Sequence, residues 1–303
     1  MKSIDNIATG GNLGLHRGKM GACICYFKYF RQTGEKSLRQ KAKKILIQIA
    51  EDIGQIDDYS FMDGLMGIGW GIELISQFNY LKVNTNEVLE DLDDEIYKLI
   101  LYNKSENISL EKGTLGKILY TYRRIKSIGG KSDFYRDTVL LECLMLSIDE
   151  LYEYLIDNRN SPLKKRLVEQ DSENLAQLSQ CLIMLMKLYP MNFNYVVEEM
   201  LLRIMSSTEE LFDDLTSVEG TDIKKFLMPI NAFNQAGHIF RNNNWKNTFN
   251  SFLTKNNCIT DISLFNLESR KQFSSSRNTI ISELQRASLN DGDFSWQEGW
   301  LLR

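Results

Sequence analysis

The chain has 303 residues, with 36 basic and 40 acidic side chains and a formal net charge of −4. Its 43% apolar and 25% charged content is ordinary for a soluble globular protein and excludes a disordered chain, a collagen-like chain and a disulfide-stapled mini-protein. The mildly acidic balance lacks the concentrated basic face that nucleic-acid binding needs.

The amino terminus, MKSIDNIATGGNLG, has no apolar core of signal-peptide length. No run approaches the ~20 apolar residues needed to span a bilayer, so the reading is cytoplasmic, with no membrane partner. Only Pro162, Pro190 and Pro229 interrupt the chain, and Leu, Ile, Lys and Glu are abundant, which favours long helices.

A repeat then dominates. Leu15-His-Arg-Gly18-Lys-Met-Gly21 is followed by ACICYFKYF, a segment apolar almost all round. Residues 35–54 form an amphipathic helix with a charged face. Phe61-Met-Asp-Gly64-Leu-Met-Gly67 repeats the first pattern and is followed by IGWGIELI. Residues 85–102 are again amphipathic, with Thr85 as the expected N-cap. Leu110-Glu-Lys-Gly113-Thr-Leu-Gly116 is the third copy. The first glycine recurs at spacings of 46 and 49 residues. Amphipathic helices follow over 132–157 and 194–214. Degenerate copies are expected near 170, with a helix starting around Ser172, and near 229, with Pro229 in a first turn. A weaker copy, Leu289-Asn-Asp-Gly292-Asp-Phe-Ser295, lies near the carboxyl end.

About six units of about 50 residues, each an inner and an outer helix, give an all-α (α/α)6 toroid in one domain over 1–303. Its ring is either closed by a short final helix or left open. An open solenoid of helix pairs is the alternative. The motif glycines would allow close backbone approach and the tight loop before each inner helix.

GLHRGKMGACICYFKYF and DGLMGIGWGIELI resemble the repeats of the lanthionine synthetase C family, the cyclase-like α-toroids. The resemblance covers residues 14–125 well, is suggestive around 289–303 and is poor between 130 and 280. It is to short, divergent bacterial members. The family's cyclases hold a catalytic zinc with two cysteines and a histidine, one Cys in a Trp-Cys context and the other followed by His. Zinc lowers a thiol's pKa so that it adds to a dehydrated Ser or Thr. This sequence has no Cys-His and no Trp-Cys dipeptide, and its only histidines are His16 and His238. No zinc ligand is carried over, and no metal or cofactor is expected. Cys258 with His238 is the one arithmetical remnant. The resemblance implies a non-cyclase accessory or scaffold in peptide modification or export, with a peptide substrate or a partner protein.

Residues just before the motif glycines would converge on one face of a toroid. Asp63 and Asp291 are candidates for an acid–base pair, as in a metal-free carboxylate enzyme of the toroidal glycoside-hydrolase kind, and as plain helix-start acids otherwise. His16 is a third catalytic candidate, against the reading of a solvated loop histidine. Arg17, Glu111, Lys112 and Trp70 are candidates for a peptide-binding cavity, with Trp70 equally able to fill the core. Gly18, Gly21, Gly64, Gly67, Gly113, Gly116 and Gly292 are read as structural. His238 is expected to be a satisfied core histidine, and the five scattered cysteines free and mostly buried. The acidic run Glu90–Glu95 and the basic run Lys36–Lys44 are read as solvated faces of outer helices, available to a partner if the chain is purely an interaction scaffold.

Overall fold

A computed structural model describes residues 2–16, 18–127, 134–159, 161–217 and 223–255. Among these every regular element is helical, as the repeat pattern predicts. The chain divides into two compact units, with the division between Ser147 and Ile148.

The first unit opens with α1 (Lys2–Ala8), tied down where Tyr26 Oη and Lys41 Nζ donate to Asp5 Oδ1 at 2.6 and 2.8 Å. Helix α2 (Lys19–Thr33) is buried on all sides over its first two and a half turns. It ends at Gly34, whose left-handed φ of +72° favours glycine and whose N–H donates to Phe30 O at 2.7 Å. Helix α3 (Lys36–Asp52) packs on α2 by a single stripe, Leu38, Ala42, Ile45 and Ile49, at helical spacing.

Helix α4 (Leu65–Gln77) lies between α2 and the later α7 (Thr114–Lys126). Small residues let both neighbours close in: a β-carbon on Gly71 would sit 2.5 Å from Met20 Cγ, and one on Gly69 would sit 2.8 Å from Tyr120 Cε2. The expected helix over 85–102 is instead two pieces, α5 (Thr85–Val88) and α6 (Glu90–Tyr102). Leu89 between them leaves helical geometry (φ −105°, ψ 11°) and turns into the core. The N-cap position falls to Asn84, and Thr85 is buried. Helix α8 (Phe134–Tyr152) presents Leu140, Cys143, Leu144 and Ser147 inward.

The second unit begins within α8 and continues through a π turn at Glu153–Asp157. Helix α9 (Ser172–Leu188) starts where expected, capped by Asp171, whose carboxylate accepts from Asn174 N–H at 2.7 Å. It packs on α11 (Leu227–Ile239), which carries Pro229 in its first turn. Helices α10 (Asn194–Ser217) and α12 (Asn243–Lys255) flank that pair. Phe212 of α10 joins them, with ring centroids 4.9 Å from Phe233 and 4.6 Å from Phe252. In both units, helices apolar all round alternate with one-sided amphipathic helices, which is the inner and outer pairing read from the repeat.

Candidate functional site

Each glycine motif is preceded by an Asn or Asp three residues before the large apolar position: Asn12, Asp58 and Asn107. Their side chains accept from the backbone N–H two residues on, Gly14, Ser60 and Ser109, at 2.7–2.9 Å. Their carbonyls accept from the first helical N–H of Lys19, Leu65 and Thr114, at 2.8–3.1 Å. The loop therefore folds back on itself before every inner helix of the first unit. This leaves no room at the next glycine. A β-carbon on Gly64 would lie 2.2 Å from Asp58 O, and one on Gly113 would lie 2.3 Å from Asn107 O.

Successive loops also interlock. Leu15 N–H donates to Met62 O at 2.9 Å, and Phe61 N–H donates to Glu111 O at 2.8 Å. These are equivalent positions one motif apart. The apolar side chains follow the same step: Leu15 packs on Gly67, and Phe61 on Gly116, where an added β-carbon would meet them at 3.1 and 2.9 Å. Gly14 is required as well, since a β-carbon there would lie 2.5 Å from the Asp63 backbone.

The stack brings some of the candidate residues to one face. His16 is half-buried, and its backbone N–H donates to Met62 O at 2.7 Å. Its Nε2 is buried without a hydrogen-bond partner, so it is not the solvated loop histidine of the simpler reading. Asp63 is half-buried and does not cap its helix; its Oδ1 accepts from Asn12 Nδ2 at 3.0 Å. Asn12 Nδ2 also lies 3.5 Å from His16 O, so one amide links the two candidate loops. Glu111 and Lys112 are exposed on the third loop. Arg17, Asp291 and Gly292 lie outside the described residues.

Trp70 is fully buried. Its ring meets Phe61 edge-on at 5.8 Å and Arg123 at 5.3 Å, which makes it a core residue. His238 corrects another expectation: it is exposed, in the last turn of α11.

The acidic run on α6 is only partly a solvated face. Asp93 turns inward and joins a buried cluster that periodicity in one helix could not reveal. Arg124 Nη2 donates to Asp93 Oδ2 at 2.6 Å, and its Nη1 donates to Glu73 Oε2 at 2.6 Å. Tyr120 Oη donates to Asp93 Oδ1 at 2.7 Å. Burial by itself would lower the Arg124 pKa, but the hydrogen bonds and charges of Asp93, with Tyr120 and Glu73, raise it above its ordinary value. Burial, then the Asp93 charge, pushes the Tyr120 phenol well up. The cluster ties α4, α6 and α7 together behind the motif face.

Cys23, Cys25, Cys143 and Cys181 are buried free thiols. Burial raises Cys23 and Cys181, and with the Glu142 charge pushes Cys143 up to about 12. Zinc binds thiolate, the form that burial disfavours at Cys23, Cys143 and Cys181. Among the described residues no three His, Cys, Asp or Glu side chains come together to hold a metal ion. The described donors do not fit a zinc site; Cys258 lies outside them.

The structure thus defines an all-helical repeat protein with interlocked glycine loops. The sequence model described as "Lanthionine synthetase C-like protein" matches residues 11–190, and the chain belongs to that family. A solved structure titled "Nisin cyclase" shares the fold, an α/α toroid, with a TM-score of 0.59 at 12% identity, covering 98% of this chain and 94% of that one. A comparison with curated protein sequences finds no match. Among the described residues no helix is long and apolar enough to cross a membrane.

Proposed function

We propose that this chain is a peptide-binding accessory of the lanthionine synthetase C-like family, acting in peptide modification or export without zinc-dependent cyclisation. The donor set carries this reading. Across the whole sequence no cysteine is followed by histidine or preceded by tryptophan, and the two histidines lie in the loop before α2 and on the exposed end of α11. Family membership supports a peptide as ligand. The motif face, with His16, Asp63, Glu111 and Lys112, is the part of the first unit where polar side chains meet a common loop surface. A cytoplasmic setting accords with free thiols at all four described cysteines.

Elemental mass spectrometry of the purified protein, beside a chelator-treated control, tests the metal part. The peptide part is tested with a synthetic peptide carrying dehydroalanine and cysteine. Thioether formation joins sulfur to the β-carbon, delivers the thiol proton to the α-carbon and leaves the mass unchanged, so free thiols are counted by alkylation. The expected result is sub-stoichiometric zinc and a bound peptide whose thiols still alkylate. Near-stoichiometric zinc, or loss of alkylatable thiol, overturns the reading.

A further inference from the structure

Two outer surfaces of the first unit carry opposite charge. On α3, Lys36, Lys43 and Lys44 are exposed and have no ion-pair partner among the described residues. Arg39 lies beside them over the Phe30 ring at 5.6 Å. Ile47, 60% exposed, stands in line with Lys36 and Lys43 at helical spacing. The result is a basic face with an apolar edge at Ile47.

Helices α6 and α8 meet where Arg136 Nη2 reaches Glu90 Oε1 at 3.1 Å. Their bases are already engaged, Arg136 there and Lys98 with Glu95 at 2.6 Å. Asp91, Asp94, Asp137 and Glu142 have no ion pair among the described residues. Beside these acids Phe134 is 84% and Tyr135 77% exposed, and Leu141 and Met145 continue the Phe134 stripe along α8. The two rings alone expose on the order of 300 Å². An apolar patch of that size with an acidic rim calls for a basic helix with an apolar edge as its complement.

That complement is present on the same chain. We propose that this protein associates with copies of itself, the basic face of α3 on one molecule docking on the acidic, aromatic face of α6 and α8 on the next. Two different surfaces meet, so the contact is heterologous and propagates head to tail, closing into a ring where the rotation allows it. The reading is independent of what the motif face binds.

Sedimentation equilibrium of the full chain tests it. The average mass rises with concentration at low salt and returns to the monomer at about 0.5 M salt, where screening confines charge to a few ångströms. The variant Lys43→Glu with Lys44→Glu and the variant Glu142→Lys with Asp94→Lys are each monomeric, with unchanged helical circular dichroism. Their equimolar mixture associates again, because each reversed face meets a reversed partner. A wild-type chain that stays monomeric at every concentration overturns the proposal and leaves the α6–α8 surface to a foreign basic segment. Association indifferent to either variant, or a mixture that stays monomeric, overturns it equally.

Discussion

Arg124 of α7 and Asp93 of α6 hold each other at 2.6 Å with both side chains buried. The guanidinium has a second carboxylate, Glu73, at the same distance, so one cation serves two anions. Removing the cation therefore differs from removing one anion. Arg124→Met strands two buried carboxylates and is expected to cost about 3–5 kcal/mol. Asp93→Asn keeps an acceptor for Tyr120 and leaves Glu73 paired, and is expected to cost about 1–2 kcal/mol. Urea unfolding of both variants checks the order; equal losses would mean that stranding two carboxylates costs no more than removing one.

The glycines separate by what surrounds them. Gly116→Ala places a β-carbon 2.8 Å from Leu110 O and 2.9 Å from Phe61 Cβ, and is expected to cost about 1–3 kcal/mol. Gly64→Ala meets the Asp58 carbonyl oxygen at 2.2 Å, a much closer backbone clash, and is expected to cost more. Gly54→Ala meets nothing within 4 Å and is expected to change stability by no more than ~1 kcal/mol, in the stabilising direction. Thermal melts of the three variants give the ranking directly.

The thiols set an alkaline limit. Cys143 is raised from the ordinary 9.0 to about 12 by burial and the nearby Glu142 charge. The folded state keeps a proton that the unfolded state loses, so this contribution is intact below pH 9 and is lost as pH rises from 9 towards 12. Cys23 and Cys181, raised in the same direction by burial, add to the slope. Stability measured in urea from pH 8 to 11 is expected to fall, and Cys143→Ala is expected to flatten that fall. A profile unchanged by the substitution would show that the thiol does not contribute.

Much of this architecture can be read in the sequence because it rests on short-range signals. The motif glycines mark the starts of α2, α4 and α7, and the all-round apolar segments mark the buried helices. The starts of α9 and α11 follow from the spacing, although both have lost the glycines. What escapes is whatever depends on a neighbour. Asp93 sits in a run of acids, and only Arg124, 31 residues away, shows that it points inward. Trp70 is balanced between cavity and core until Phe61 and Arg123 are seen around it. His238 lies in an apolar stretch, yet the end of α11 leaves it exposed. The loop residues Asn12, Asp58 and Asn107 did leave a signal, an Asn or Asp two places before a Gly or Ser in each motif, which the glycine spacing overshadows.

The interlock of Leu15 with Met62 and of Phe61 with Glu111 runs one way along the chain and uses only backbone atoms, one apolar side chain and one glycine. It acts as a standard coupling, indifferent to the cargo carried between couplings. The change of spacing from 46 to 49 residues is absorbed there without altering the joint. So is divergence in character, with one intervening helix becoming basic and the next acidic on a common chassis.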